Sequence, residues 1–561
     1  MTTSRADLLE GVDMEGGENF CDSVYNFLKN QGKDINLFTN SGFGVWSQSD
    51  ANKGLAELVF DNGTVAPVVG EAIVGALATG KIIWVDVTND DWAGGNGAGT
   101  AYLGAVTGTY IDNETIAGSI AASFDVNGDL NIGVKNDPMN DNSVASWTDD
   151  GANITLASVG ALYTVVTAAA NQRAWIAAAP LTAGKIYKIE LDIKDGTVAN
   201  RDVEGYFDDG VAQYGRTITT AAGWVSVSWT FECATTTAAG LVGFRVVPNM
   251  GGGGNNFEIR RFSCYEITPC CTNDADNLAF DGWYKETTCD IYRQHWDATY
   301  SKCGSFYSLM IVPGHADDYV RFPGAFYDNE EWYKQFCEQP VTVGAWVYAS
   351  VASHAKLVIQ QTSGDTSSAY HSGTPGWEWL EVTEVIAIDT IFFDIQLFCD
   401  AAPNVNGTTI VYVSQPMLVF GWALGEGMYQ PRQQEIIWLE KKIAGNTLYS
   451  ALGLSDLAWT DISIEADTDG KLSKGCKAVF MMMNVRDSGS AAGTPYFATR
   501  GPIGASYQYM FWIEGVPNDK WRYQSGWQAC DENGDIGYLV EASGAATFDV
   551  DNFFYLGIQI N

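Results

Sequence analysis

Short runs of β-branched and aromatic residues, each ended by glycine, asparagine or aspartate, recur along most of the chain. In KIYKIELDIK (185–194) and GWVSVSWTFEC (223–233), apolar residues occupy every second position. Successive side chains of a strand point to opposite faces, so this period of two places one face of each run against a core. Short strands closed by turn residues are typical of antiparallel sandwiches. We therefore predict an all-β fold of tandem antiparallel β-sandwich domains.

The 561 residues exceed what one hydrophobic core supports, since domains commonly hold roughly 100–200 residues. The predicted division is an N-terminal helical docking segment at 1–35, a first sandwich module at 36–268 interrupted by a small β insert at 51–125, a second module at 272–432, a short helical linker at 433–446, and a C-terminal β-sandwich at 447–561.

Two segments carry helical spacing. The N-terminal one has Phe20, Val24, Phe27 and Leu28, and the linker has Ile436, Ile437, Leu439 and Ile443. A single short helix is unstable alone in water, so residues 1–35 are expected to dock either on a partner or on their own first domain.

The two long modules show the same order of features. GKIYKIELDIK corresponds to TVGAWVYASVA, and GWVSVSWTF corresponds to GWEWLEVTE. We interpret this as an internal duplication, with the first copy lengthened by the insert. Two copies are too few for a solenoid.

The chain has 68 acidic against 31 basic residues, a formal net charge of −37. Such a surplus repels nucleic-acid backbones, so a DNA- or RNA-binding role is not expected. The charge serves solubility or, alternatively, attracts basic partners or divalent cations.

The 11 cysteines form an odd and scattered set without a CxxC pair, so free thiols are expected and a zinc site is not. Cys289 and Cys303 meeting across a hairpin is the alternative considered. The sequence shows no secretory leader and no apolar stretch of membrane-spanning length, which predicts cytoplasmic synthesis and no membrane insertion.

Aromatic side chains that stack on sugar rings, with amides and carboxylates nearby, would form a carbohydrate site. The candidates are Trp377, Trp379, Trp283, Trp296 and Tyr319 in the second module, and Trp175 and Trp224 in the first. In WEWLEV, Trp377 and Trp379 share one strand face, and Leu380 and Val382 share the other. The competing interpretation is that these aromatics fill the sandwich cores.

Two loops place oxygen ligands at alternate positions and are candidate calcium sites. They are Asp125, Asn127 and Asp129 in DVNGD, and Asp531, Asn533 and Asp535 in DENGD. Neither has the glycine and glutamate of an EF-hand loop, so plain hairpin turns are the alternative. No other cofactor is expected.

Catalytic motifs are missing from the sequence. The four histidines, His295, His315, His354 and His371, form no HExxH, and no Gly-x-Ser-x-Gly is present. Carboxylates are so numerous that an acid–base pair could be drawn anywhere, and such pairs carry no signal without geometry. We predict that the chain is not an enzyme.

AGKIYKIELDIK, GWVSVSWTFEC and FEIRRFSCYEI together resemble the carbohydrate-binding-module jelly roll that also occurs in phage fibre proteins. The insert, TGKIIWVDVTNDDWAGGNGAGTAYLGAVTGTYIDNETI, is similar to a short β module of phage virion proteins. The end of the chain, with KAVFMMMNVRD, DENGDIGYLV and FFYLGIQI, resembles the C-terminal sandwich of phage tail and head fibres.

This resemblance implies jelly-roll domains and a homotrimeric virion fibre assembled in the host cytoplasm. Residues 1–35 would dock on phage tail or capsid proteins, and the sandwiches would contact a host surface glycan. It also implies that such sandwiches hold a structural calcium. Trimerisation rests on the resemblance alone, because the sequence has no long heptad run.

The sequence leaves three functions open. The first is a tail-attached fibre that recognises the host surface, and the second is a capsid-attached head fibre or decoration protein with a structural role. The third is the non-catalytic binding part of a polysaccharide-degrading enzyme.

Overall fold

A computed structural model describes residues 36–560 with gaps. The longer gaps are 128–134, 138–146, 168–171, 248–254, 324–331, 400–409, 489–495, 502–508, 515–519 and 542–546, and the others span one to three residues. Its sheets are antiparallel and stack as tandem sandwiches, which confirms the predicted fold class. The helical segment predicted at 1–35 lies outside the described residues.

The insert forms a small barrel. The strands of this part of the chain are β1 (Asp50–Lys53), β2 (Ala56–Val65), β3 (Ala72–Val74), β4 (Ala78–Asn89), β5 (Gly97–Gly108), β6 (Thr115–Gly118), β7 (Ser123–Val126) and β8 (Lys135–Asp137). The first and the last lie outside the ring, since β1 pairs with residues 267–270 and β8 with residues 262–264. The pairings run β2–β5–β4–β3–β6–β7 and return to β2, so the ring is closed. Closure removes the exposed strand edges. Buried Leu58, Phe60, Leu103 and Phe124 fill the interior.

The first module consists of two facing sheets. Its strands are β9 (Trp147–Asp149), β10 (Ile154–Val159), β11 (Leu162–Thr167), β12 (Gln172–Ala177), β13 (Ile186–Asp195), β14 (Asp202–Asp208), β15 (Ala212–Tyr214), β16 (Ile218–Thr219), β17 (Val225–Glu232), β18 (Leu241–Val246) and β19 (Asn255–Cys271). The long sheet has the order β10-β11-β19-β13-β17. The short sheet has the order β9-β12-β18-β14-β15, with β16 also on β14.

The second module has the same arrangement. Its strands are β20 (Tyr284–Lys285), β21 (Asp290–His295), β22 (Tyr307–Val312), β23 (Asp318–Phe322), β24 (Pro340–Ala349), β25 (Ala355–Gln361), β26 (Gly364–Ser367), β27 (Trp377–Val385), β28 (Phe393–Cys399) and β29 (Val411–Phe420), with a 3-10 turn at Trp332–Gln335. The long sheet is β21-β22-β29-β24-β27 and the short sheet is β20-β23-β28-β25-β26. Each strand therefore has a counterpart at the same position in the first module.

Residues 36–49 belong by packing to the second module, although the sequence assigned them to the first. Phe38 and Phe43 contact Trp283, and Trp46 contacts Phe280, in the core of the second module. The reason is the continuity of β19, which runs from the first module into the ladder of the second and pairs there with β1 and β21.

The C-terminal sandwich contains β30 (Glu435–Ala444), β31 (Ala451–Leu454), β32 (Leu457–Ile462), α1 (Ile464–Asp467), β33 (Ala478–Ser488), β34 (Tyr496–Arg500), β35 (Tyr509–Glu514), β36 (Arg522–Ala529), β37 (Ile536–Glu541) and β38 (Thr547–Ile560). One sheet is β30-β38-β33-β36, with β31 also on β38, and the other is β32-β37-β34-β35.

The predicted helical linker at 433–446 is wrong, because β30 occupies it. β30 pairs with β38, and its register shifts between Trp438 and Ile443. Ile437 and Ile443 are buried while Ile436 is half exposed. A strand interrupted by an irregularity reproduces the spacing of one helical face, which explains the error.

Buried polar contacts join the modules. Arg293 of the second module pairs with Glu465 of the C-terminal sandwich at 3.1 Å, and both side chains are 1% exposed. Tyr307 donates to the same carboxylate at 2.9 Å. Glu232 of the first module pairs with Lys474 of the C-terminal sandwich. Removing one partner of a buried pair leaves a costly unpaired charge, so these contacts fix how the modules meet.

The ten cysteines among the described residues are free thiols, as expected. Cys289 is buried and Cys303 is exposed, so the hairpin pairing considered for them is absent. In the described part of the chain, no helix is long and apolar enough to span a membrane.

Candidate functional site

The outer face of the short sheet in the first module carries an aromatic row. On β12, Ala174 and Ile176 enter the core, so Trp175 points outward. Cross-strand pairing sets Trp175 opposite Gly243 of β18, Gly243 opposite Tyr206 of β14, and Tyr206 opposite Tyr214 of β15. We call Trp175, Tyr206 and Tyr214 the aromatic row.

The three rings are in contact. The ring centroids of Trp175 and Tyr206 are 6.1 Å apart, and those of Tyr206 and Tyr214 are 5.7 Å apart. Tyr206 is buried, Trp175 is half-buried and Tyr214 is 40% exposed. The row therefore has a buried centre flanked by two rings that reach solvent.

Gly243 lies between Trp175 and Tyr206 and lets their rings lean together across the strand that separates them. A Cβ atom at this position would lie 2.1 Å from the carbonyl oxygen of Ala174 on the adjacent strand. Glycine is thus required for the close approach of β12 and β18. It also leaves the floor between Trp175 and Tyr206 without a side chain.

Two arginines flank the row, and each is held by a carboxylate. The guanidinium of Arg173 lies 5.3 Å from the Trp175 ring centroid and donates to Asp150 at 3.0 and 2.9 Å. The guanidinium of Arg245 lies 3.6 Å from the Tyr214 ring centroid and donates from Nε to Glu204 at 2.9 Å. Cation–π contact and ion pairing together restrict these side chains to one orientation.

The electrostatics of the site follow from these pairs. Hydrogen bonds from Arg173 lower the pKa of Asp150, so this carboxyl stays ionised at neutral pH. Burial raises the pKa of Tyr206, whose hydroxyl donates to Asp208 at 2.8 Å and therefore stays neutral. The face offers aromatic surface and fixed donors and acceptors, and each of its two arginines is paired with a carboxylate. This combination suits a neutral ligand rich in hydroxyl groups.

Of the sequence candidates in the first module, Trp175 belongs to the row and Trp224 does not. Trp224 lies on the outer face of the opposite, long sheet, where the Arg260 guanidinium is 4.2 Å and the Lys194 ammonium 5.6 Å from its ring centroid. It is half-buried, like Trp175.

In the second module, Trp283 is 2% exposed in the core and its indole N–H donates to the Thr39 carbonyl. It cannot present a stacking surface, because the N-terminal segment covers it. Tyr319 is half-buried on the short sheet, and Trp296 lies outside the described residues.

Trp377 and Trp379 share the outer face of the long sheet, while Leu380 and Val382 enter the core. Their rings contact Tyr348 and Trp346 of β24. The indole of Trp377 donates to the Thr299 carbonyl at 3.1 Å, and that of Trp379 donates to Glu381 at 3.0 Å. The predicted alternation is present, and both indole N–H groups are satisfied within the chain.

Several side chains of the candidate calcium loops are hydrogen-bonded within the chain. Asp125 accepts from Thr115 at 2.7 Å, and Asn127 donates to Asp61 at 2.8 Å. Asp531 accepts from the backbone N–H groups of Asn533 and Asp535. Asp129 lies outside the described residues. No group of three metal-ligating acidic, cysteine or histidine side chains occurs in the described part of the chain, and a bound calcium stays a prediction.

Sequence reasoning missed Tyr206, Tyr214, Arg173, Arg245 and Gly243. The alternation of core and outward residues was visible in three of these strands, QRAWIA, VEGYFD and LVGFRV. The alternation does not reveal that these strands are neighbours, so the outward residues could not be assembled into one face.

No family model matches the chain, and neither does any curated protein. Solved structures do resemble parts of it. The tandem CBM22-1–CBM22-2 domain of Paenibacillus barcinonensis Xyn10C aligns at 10% identity over 52% of this chain and 97% of that one, with a TM-score of 0.25. The N-terminal cellulose-binding domain of Cellulomonas fimi β-1,4-glucanase C aligns at 11% identity over 22% of this chain and 91% of that one, with a TM-score of 0.19.

A triple jelly-roll protein from the turret of an archaeal virus aligns at 8% identity over 74% of this chain and 89% of that one, with a TM-score of 0.14. These neighbours are carbohydrate-binding modules and a virus jelly-roll protein. At such TM-scores the likeness carries no weight in assigning a function, which has to rest on the geometry of the site.

Proposed function

We propose that the chain binds a carbohydrate without catalysis, through the aromatic row of its first module, as a tail-attached virion fibre that recognises a host surface. The observation that carries the binding proposal is the row itself. Trp175 and Tyr214 present ring surface on either side of buried Tyr206, and two arginine–carboxylate pairs border them.

The row suits a sugar for a physical reason. The C–H faces of a sugar ring are apolar and pack on aromatic rings, whereas its rim of hydroxyls needs placed donors and acceptors. Arg173 and Arg245 retain N–H groups beyond those used in their ion pairs. The net charge of −37 repels polyanions, so the ligand we propose is an uncharged glycan.

The virion role is supported by the sequence resemblance to phage fibres and by the tandem of sandwiches with buried polar contacts between modules. Within this proposal, residues 1–35 dock on a tail or capsid protein and the fibre is a homotrimer. Mass spectrometry of purified particles tests virion membership, and absence from the particle contradicts it. Electron cryo-microscopy of particles then distinguishes the tail from the capsid, where a structural head fibre would lie.

Binding is tested by affinity electrophoresis of the full chain in gels containing soluble xylan, hydroxyethyl cellulose or laminarin. We expect at least one polysaccharide to retard the wild type and Trp175→Ala to abolish the retardation. Trp224→Ala is the matched control, since it removes a half-buried, arginine-stacked tryptophan from the opposite sheet. Absence of retardation in every gel, or equal loss in both variants, would contradict the proposal.

A further inference from the structure

We infer that the glycan site continues beyond Tyr214 into a cleft between the first module and the C-terminal sandwich, so that the complete site is built by both. This inference rests on the proposed function. It assigns a binding role to the C-terminal sandwich, and it makes the ligand a linear chain longer than the aromatic row.

The cleft has a volume of about 490 Å³ and two walls from separate parts of the chain. The first module contributes the β14–β17 side of its sandwich, including Glu204, Tyr214 and Thr217, with Trp229 at the base. The C-terminal sandwich contributes Asn446, Thr447, Thr460, Asp461 and Ser463.

The row and the cleft are continuous because they share residues. Tyr214 ends the row and also lines the cleft. Glu204, which holds Arg245 over Tyr214, lines the cleft as well and accepts from the Thr217 hydroxyl at 2.7 Å. A ligand that leaves the row over Tyr214 therefore passes directly between the two walls.

The two walls are held at a fixed separation. Glu232 at the end of β17 pairs with Lys474 and accepts from Ser463 at 3.0 Å. Asp469 accepts from Thr230 at 3.0 Å and pairs with Lys188 at 3.3 Å. These contacts cross between the same two modules that line the cleft, so the cleft is preformed and binding need not order it.

The base of the cleft depends on a close approach of β15 to a buried ring. Trp229 is 3% exposed, and a Cβ atom at Gly215 would lie 2.1 Å from its indole. Glycine at this position lets the edge of the short sheet close over the tryptophan. The base is thus apolar, while the rims carry hydroxyl, amide and carboxylate groups, the same combination as in the row.

The rim chemistry defines the ligand class. Asn446, Thr460 and Thr217 are exposed and neutral, and the carboxylates of Glu204, Glu232 and Asp461 are each paired with a basic side chain. The lining also includes the buried Asp467 carboxyl, which accepts from the Tyr555 hydroxyl at 2.7 Å and from the Thr447 N–H at 2.6 Å. Such a rim hydrogen-bonds hydroxyls. The successive ring centroids of the row are only 6.1 and 5.7 Å apart, so a linear glycan longer than the row is needed to reach the second wall.

The test uses calorimetric titration of the full chain with paired short and long probes: xylotriose and xylohexaose, cellotriose and cellohexaose, and laminaritriose and laminarihexaose. Asn446→Trp fills the cleft from the C-terminal wall. We expect it to weaken binding of the hexasaccharide about tenfold, equivalent to one or two hydrogen bonds, and to leave the trisaccharide unchanged. Thr460→Val, which removes one hydroxyl, should weaken only the hexasaccharide, by a few-fold.

Asn96→Trp is the matched control. Asn96 is exposed in the insert and, like Asn446, its amide donates to an aspartate carboxylate. If Trp175→Ala abolishes binding while Asn446→Trp and Thr460→Val bind both probe lengths as the wild type does, the composite site is overturned and the proposed function stands. If no probe binds, or if Trp175→Ala binds normally, the proposed function is overturned and the composite site with it.

Discussion

The short sheets of the two modules have one strand order and two different outer faces. In the first module the row across the sheet reads Trp175, Gly243, Tyr206, Tyr214. In the second module the topologically corresponding row reads Arg321, Gln396, Val358, Ser367. The inner faces of both sheets carry apolar core residues throughout.

In the second module, polar side chains that pair with one another cover the outer face, whereas the first module leaves aromatic rings accessible there. The Arg321 guanidinium lies 4.5 Å from the Tyr284 ring centroid and pairs with Asp394 at 2.9 Å. Gln396, at the place of Gly243, is 6% exposed and donates to Gln360. The two modules thus share an apolar core, and a few outward positions make their outer faces different. For this reason the binding proposal concerns the first module, although the second has more exposed tryptophan.

The largest difference between the two outer faces is expected when the side chain at the centre of each row is truncated. Tyr206→Ala should lower the free energy of unfolding by about 3–5 kcal/mol, because a large buried ring leaves a cavity, and should abolish polysaccharide retardation. Val358→Ala should cost about 2 kcal/mol and leave retardation unchanged. Chemical denaturation and affinity electrophoresis measure the two effects.

Tyr206→Phe keeps the ring and serves as the control for the loss of stability. It should bind nearly as the wild type does. Equal loss of binding from Tyr206→Ala and Val358→Ala would show that the two faces do not differ in function.

The response to pH should differ between the row and the joint that holds the modules together. Burial raises the pKa of Glu465 in the joint to about 7, above its unfolded value of 4.5. The folded state therefore holds a proton that the unfolded state releases, and stability is lost as the pH rises from about 4.5 to about 7. Relative to Glu465→Gln, the wild type should lose up to about 3 kcal/mol over this range.

Asp150, beside the row, should change the pH dependence of stability in the opposite direction, because its pKa is lowered in the folded state. Its contribution is present above its unfolded pKa and is lost as the pH falls through the folded value. Asp150→Asn should therefore be less stable than the wild type at neutral pH and approach it in acid. Denaturation of both variants at several pH values tests the two signs, and parallel pH profiles would contradict them.

The smallest expected effect comes from replacing, by alanine, one arginine beside each outer face. Arg245 and Arg321 are 22% and 20% exposed, and each pairs with one carboxylate and stacks on one tyrosine. Alanine at either position should cost about 1 kcal/mol of stability, since both pairs are partly solvated. Only Arg245→Ala should weaken glycan binding, about tenfold by titration. If both variants bound the glycan equally well, Arg245 would have no role in binding.

The sequence predicted those features that depend on neighbours along the chain. The period of two in WEWLEVTEV places Trp377 and Trp379 outward and Leu380 inward, as the sheet has them. The same local pattern misled at β30, where an irregularity shifted the register between Trp438 and Ile443 and imitated a helical face.

Features that depend on distant residues were not predictable. The sequence named Trp283 as a candidate sugar-stacking aromatic. Its burial follows from contacts with Phe38 and Phe43, which lie more than 200 positions earlier. Trp175 was recognised as a candidate, whereas Tyr206 and Tyr214 were not, because only the pairing of β12, β18, β14 and β15 aligns them.

The amino-acid sequence by itself determined the all-β class, the repeated module and the alternation of inward and outward residues. These are properties of short-range periodicity, which the chain carries in every segment. The tertiary structure alone decided which outward residues share a row, which face is filled, and that the C-terminal sandwich stands beside Tyr214. Strand register and module docking are set by contacts between segments far apart in sequence, and no local pattern encodes them.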